Sequence, residues 1–134
     1  ISDGLALGPN AKAALITRGI VEMQSLGKIL NCNDQTIHGL SGIGDLVLTS
    51  NDNLSRNRRF GMKLAKGESI KEAEKSIGHV VEGIYASQGL KFLIDKHKLN
   101  LPICSKVFDI INGKISPKDA VDDLLIREQK KEFV

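Results

Sequence analysis

Asp45 and the run Ser55-Arg56-Asn57-Arg58-Arg59 are the residues whose types and spacing admit chemistry. Asp45 follows Gly39, Ser41, Gly42 and Gly44 and precedes Leu46, Val47 and Leu48. Glycine inside a helix costs about 1 kcal/mol against alanine. Glycines this dense point to something approaching the backbone closely, with a carboxylate beside it. Aspartate is rarely fully buried without a partner, so Asp45 either faces solvent, caps a helix or holds a ligand. Ser55 reads as an N-cap, because Phe60, Leu64 and Ala65 follow it at helical spacing. The helix start then carries Arg56, Arg58 and Arg59, where the dipole already places partial positive charge. Arginines at that end make sense if an anion sits on them, met by exposed amides and guanidinium forks. A solvated basic turn is the plainer alternative.

Other candidates carry less. Glu82 stands near a helix start, where acidic residues are favoured by the dipole. His38, His79 and His97 are scattered and have no acid or base partner in sequence. Asp122-Asp123 reads as a solvated face. Cys32 and Cys104 lack metal-ligand spacing, so no metal site is expected. No Ser-His-Asp arrangement is legible.

The elements that must position these residues are helices. Asn10 is expected to cap a long helix reaching about Leu30, with Ala13, Ile16, Ile20, Met23 and Gly27 along one face. Asn31 to Asp34 is a polar break, with Asp34 or Thr36 as the next cap. Ile37 to Leu48 is expected to form one short helix followed by another. Asp45 and Thr49, four apart, then share a face. After a helix from Arg56 to Lys66, Gly67 is a stop, and Ser69-Ile-Lys-Glu72 fits a capping box for a helix ending near Gly78. Val80-Val-Glu-Gly83 leads into a longer helix with Ala86, Leu90, Leu93 and Ile94 buried. Pro102 opens another, carrying Val107, Phe108 and Ile111, and Ser116-Pro117 starts the last, with Ala120, Val121, Leu124 and Leu125. The charged tail from Glu128 is expected to fray. No segment alternates with strand period, so the sequence predicts an all-α, single-domain bundle of about seven helices over residues 1–134.

Composition sets the outer bounds. A chain of 134 residues, 41% hydrophobic, can build a core without staples. With four Phe, one Tyr and no Trp, that core is aliphatic. A net charge of +3, with no basic run interleaved with stacking aromatics, gives no indication of nucleic-acid binding. No apolar run approaches membrane-spanning length. Two thiols without a secretory signal read as reduced and cytoplasmic. Opening at Ile1 in mid-phrase, the sequence reads as a piece of something longer.

The motifs Gly39-Leu-Ser-Gly-Ile-Gly-Asp-Leu-Val-Leu-Thr49 and Ser55-Arg-Asn-Arg-Arg-Phe-Gly61 together resemble the signature of the bacterial NAD(P)-dependent glycerol-3-phosphate dehydrogenases. Ile1-Ser-Asp-Gly-Leu, Ala13-Ala-Leu-Ile-Thr-Arg-Gly19, Val80-Val-Glu-Gly83 and Leu101-Pro-Ile are similar to the same family, so the likeness runs from Ile1 to about Arg127. Ser50 departs from it, standing where the family usually has cysteine, a conservative change.

The resemblance implies reversible reduction of dihydroxyacetone phosphate to sn-glycerol 3-phosphate by NADPH or NADH, for glycerophospholipid synthesis. It also implies a helical substrate domain similar to the C-terminal domain of 6-phosphogluconate dehydrogenase, partnered by a Rossmann domain. No strand followed by Gly-x-Gly-x-x-Gly occurs here, and the family's proton-donating lysine would fall shortly before Ile1. By position, Asp45 matches the aspartate that binds substrate and orients that lysine. Ser55, Arg56 and Asn57 match substrate-binding positions, and Thr49 resembles a threonine of the eukaryotic relatives. Arg56, Val80 and Glu82 match cofactor-contacting positions. The family is commonly dimeric. Two other readings stay open: another two-domain dehydrogenase of the 6-phosphogluconate or ketopantoate reductase kind, and a small basic helical module binding nucleic acid or protein through Ser55 to Arg59.

Overall fold

Every element among the described residues is helical, and most are too short to persist alone. The computed structural model describes residues 1–126; the tail from Glu128 lies outside them. The helices are α1 Pro9–Ile29, α2 Asp34–His38, α3 Asp45–Asn51, α4 Arg56–Ala65, α5 Ile70–Ile77, α6 Glu82–His97, α7 Pro102–Ile111 and α8 Pro117–Ile126. A π-helical turn, Leu40–Gly44, runs directly into α3. The all-α class expected from the sequence is observed. Among the described residues eight helices stand where about seven were expected; the two short helices expected over Ile37 to Leu48 are present as α2 and α3, set earlier and later than expected because the π turn occupies Leu40–Gly44.

Several predicted ends are realised. The Ser55 hydroxyl accepts from the Arg58 amide, and Ser69 and Glu72 form a reciprocal capping box. Gly78 closes α5 at φ 74°, and Pro102 opens α7. Two others shift. Helix α1 begins at Pro9 after Gly8, one residue before the expected Asn10 cap, since proline at a first helical position already has helical φ and loses no hydrogen bond. The cap of α2 is Asn33, whose side chain accepts from the Gln35 amide at 2.9 Å, not Asp34 or Thr36.

Isolated helices below about 12–15 residues are marginal in water, so packing must hold these. Phe60 and Leu64 of α4, Ala73 and Ile77 of α5, Val81, Ile110 of α7 and Ala120 of α8 form one buried cluster. Ala86, expected on the buried side of α6, is exposed, and Ser87 and Ile94 take the inner positions. Ser87 can be buried because its hydroxyl donates to the Ile84 carbonyl at 2.6 Å.

The inner face of α1 also differs from the expected apolar stripe: Ala13 is exposed, and Glu22 is only 6% exposed. Glu22 replaces a missing cap. Leu101, before α7, has no side chain to offer, and Pro102 has no N–H. The Glu22 carboxylate accepts from the next two amides, Ile103 at 2.6 Å and Cys104 at 3.0 Å. One turn earlier, the Arg18 guanidinium donates to the Leu124 carbonyl of α8. Thus α1 puts an anion on the start of α7, the sign that the helix dipole favours there, and ties α8 to the same face.

Hydrogen bonds to a charged group contribute about 1.5–3 kcal/mol each, and a buried unsatisfied donor adds a penalty. Glu22→Ala should therefore lower stability by about 3 kcal/mol, and Glu22→Gln by roughly half of that; thermal and urea unfolding measure both. Burial pushes the Cys104 thiol up to about 12, with the Glu22 carboxylate beside it adding to the shift. Iodoacetamide at pH 8 should accordingly label exposed Cys32 and spare Cys104, as peptide mapping would reveal.

Candidate functional site

The dense glycines before Asp45 are explained by the chain's own packing. A Cβ on Gly42 would lie 2.0 Å from the Ile37 carbonyl oxygen, so the close approach expected there is made by the end of α2, not by a ligand. The π turn that results carries directly into α3, with Gly44 in helical conformation and the Asp45 amide donating back to Gly42 and Leu40. One wide turn thereby resets the phase at which α3 presents its side chains. Asp45 and Thr49 do lie one turn apart, and the Thr49 hydroxyl donates to the Asp45 carbonyl at 2.8 Å. The Asp45 carboxylate is exposed and has no hydrogen-bond or ion-pair partner among the described residues.

The first turns of α4 and α6 are joined side by side. Val81, before α6, offers no side-chain cap, and the Asn57 side-chain oxygen accepts from the Gly83 amide at 3.0 Å in its place. Gly83 is a participant that sequence reasoning missed. A Cβ there would stand 2.9 Å from that same oxygen, and only its place in Val80-Val-Glu-Gly83 hinted at it. Arg56 Nη2 stands 4.0 Å from Glu82 Oε1, with the two side chains 44% and 78% exposed. So open a pair contributes at most about 1 kcal/mol and leaves Arg56 available. Val80 points outward, whereas neighbouring Val81 is buried.

The three arginines do not converge on one point. Arg58 turns inward: Nη2 and Nε donate to Asp3 Oδ2 at 2.7 and 3.0 Å, Nε also to the Ser50 carbonyl at 3.1 Å, and Nη1 to the Asn53 side-chain oxygen. Arg59 has its Nε buried without a partner. Arg56 alone is left facing out, so the expected crowd of guanidiniums reduces to one. The Lys12 ammonium also sits on Asp3 Oδ2, at 2.8 Å. Hydrogen bonds from Lys12 and then Arg58 hold the Asp3 carboxyl below the usual aspartate range, against partial desolvation.

Asp45, Thr49, Ser55 and Asn57 line one cleft of about 520 Å³, with Asp3 and Arg58 in its wall. Arg56 lies between two of these residues in sequence and turns towards Glu82. The cleft is largely apolar, with the Asp45 carboxylate, the Thr49 and Ser55 hydroxyls and the Asn57 amide among its polar groups, and the exposed Arg56 guanidinium stands outside it beside Glu82. Among the described residues, no group of three or more His, Cys, Asp or Glu is placed to hold a metal ion. No described helix is long and apolar enough to cross a membrane.

Comparison with known proteins identifies the family and the fold. Residues 1–122 match the family model described as NAD-dependent glycerol-3-phosphate dehydrogenase C-terminus. A glycerol-3-phosphate dehydrogenase (NAD(P)+) of Coxiella burnetii, strain RSA 331 / Henzerling II, is 48% identical over 98% of this chain and 40% of its own length. The protein of the same name from Hydrogenovibrio crunogenus is 48% identical over 99% of this chain and 39% of its own. The 2.1 Å crystal structure of glycerol-3-phosphate dehydrogenase from Coxiella burnetii superposes with a TM-score of 0.91 at 47% identity, over 94% of this chain and 39% of that one. The chain thus spans about 40% of the length of the curated relatives it matches.

The Asp3 geometry has a pH signature. A carboxyl that titrates lower when folded stabilises fully above its unfolded value, roughly pH 4, and loses that contribution as pH falls through the native value. The difference in Tm between the wild type and Asp3→Asn should be constant from pH 6 to 8 and should shrink on acidification below roughly pH 4. A gap that widens in acid would contradict the assignment.

Proposed function

The chain belongs to the family of NAD-dependent glycerol-3-phosphate dehydrogenase C-terminal domains, and from that premise we propose that it is the substrate-binding part of an oxidoreductase. The reaction is interconversion of dihydroxyacetone phosphate and sn-glycerol 3-phosphate with NAD(P)H, in the service of glycerophospholipid synthesis. The observation that carries this reading is the junction of the α4 and α6 first turns. There an outward Arg56 and the Ser55–Asn57 pair adjoin a cleft holding Asp45 and Thr49.

Reducing a ketone requires a hydride on carbon and a proton on oxygen, with the carbonyl held still. Arg56 binds the phosphate at the paired helix starts, where exposed amides and both dipoles favour a dianion. The Ser55 hydroxyl keeps its proton free to donate after accepting from the Arg58 amide. The Asn57 side-chain NH2 is likewise free to donate, since its oxygen is occupied by Gly83. Phosphate binding away from the reacting carbon supplies positioning. Asp45, unpaired in the cleft, accepts from a substrate hydroxyl and orients the proton-donating lysine that the family carries upstream; Thr49 supports it.

Arg56, Val80 and Glu82 all face outward beside the cleft, which fits contact with a nicotinamide cofactor carried mainly by a nucleotide-binding half outside this chain. That cofactor supplies the hydride when bound. Exposed Leu40, Leu54 and Val80 each adjoin an element that presents a site residue, which supports a neighbouring domain covering this face. Two free thiols fit a reducing cytoplasm, and a homodimer is the expected assembly.

In the protein that includes the upstream half, Arg56→Ala should lower kcat/KM for dihydroxyacetone phosphate by about 10²–10³-fold, with little effect on unphosphorylated dihydroxyacetone. The present chain alone should not oxidise NADPH. Equal turnover of the two substrates by the intact wild-type enzyme would remove the phosphate assignment.

A further inference from the structure

We propose that Asp3 is a positioning residue for the reaction: through Arg58 and Lys12 it sets the spacing between α3, which carries Asp45 and Thr49, and the first turn of α4, which carries Ser55, Arg56 and Asn57. The inference rests on the substrate assignment above.

One carboxylate oxygen collects three donors, the Nε and Nη2 of Arg58 and the Nζ of Lys12. All three side chains are largely shielded, at 16% exposure for Arg58, 20% for Lys12 and 23% for Asp3. The same guanidinium holds the Ser50 carbonyl, in the last turn of α3, where a helix has no donor of its own. It also grips Asn53 in the connecting loop. Arg58 is therefore a three-way joint between the leading segment, the end of α3 and the start of α4. Asp3 bonds to α4 through Arg58 and to α1 through Lys12, and it neutralises the charge by which Arg58 would otherwise repel Lys12 and the α4 dipole. The body of α4 is held separately by Phe60 and Leu64 in the core. Loss of Asp3 therefore leaves Arg58 held by Ser50 and Asn53 alone, which loosens the first turn while leaving the helix in place.

The consequence is selective. A phosphorylated substrate spans both halves of the site, the phosphate on Arg56 and the hydroxyl on Asp45, so it senses their separation. A substrate lacking phosphate engages only the α3 side and does not. Misplacement by about 1 Å is enough to cost about 10²-fold in rate.

The test uses the intact dehydrogenase, with kcat and KM measured for dihydroxyacetone phosphate and for dihydroxyacetone. Asp3→Asn should lower kcat/KM about 10–100-fold on the phosphorylated substrate and change the unphosphorylated one less than about twofold. Asp3→Glu, which keeps a carboxylate for Arg58, should recover most of the loss. Lys12→Met, which leaves the Arg58 contact intact, should give the same selectivity at smaller size. If Asp3→Asn does not fold, the Glu and Met variants carry the comparison. Equal losses on both substrates, or no loss on either, overturn the positioning role. If Arg56→Ala is itself indifferent to the phosphate, the substrate assignment fails instead.

Discussion

A carboxylate from the middle of α1 supplies the two hydrogen bonds that start α7, and the placement of α7 in the bundle depends on it. The physical problem is general to folds of short helices. Each helix leaves four amides and four carbonyls unsatisfied at its ends, and eight helices multiply that debt over a small volume. Glu22 meets it at the start of α7, and Arg18, on the same face of α1, bonds a carbonyl of α8. Because the acceptor comes from a distant element, the bond also fixes where α7 lies. Packing then closes around it.

The candidate site follows the same economy. Asn57 caps α6 from α4, and Arg58 caps α3 while leaning on Asp3. In both cases a side chain beside the cleft completes a helix end, so local geometry and site geometry are the same bonds. What distinguishes functional groups from structural ones is what is left over. Arg58 is fully engaged, whereas Arg56 has only a distant, exposed partner and Asp45 has none among the described residues. An exposed cation at the start of a helix is mildly unfavourable in the absence of an anion. That cost is what the anion we propose would relieve.

Glycine plays two different parts around this site. Gly42 allows the backbone of the π turn to lie against α2, which rotates α3 into its working phase. Gly83 leaves room for the Asn57 oxygen at the start of α6. Neither makes space for a ligand. Both make space for a neighbour that then holds a ligand-facing residue in place.

Local rules were enough to read most of the helices from the sequence. Ser55, the Ser69–Glu72 box, Gly78 and Pro102 act within a turn of the chain, so their consequences are visible without a structure. The motif Ser55-Arg-Asn-Arg-Arg with Asp45 likewise contains residues, Asp45, Ser55, Asn57 and Arg58, that fold around one cleft, and an anion beside them is what we propose. Which arginine remains free, why the glycines cluster, and how Glu22 comes to be buried could not be read that way. The free arginine and the buried Glu22 turn on partners 55 to 82 positions distant along the chain, and a charge shows no preference for one remote partner over another until the helices are packed; the glycines answer to Ile37, a near neighbour in sequence whose close approach to Gly42 exists only once the π turn has formed. Sequence alone determined the elements and made an anion the expected ligand; tertiary contact decided which charges neutralise one another and which stay exposed.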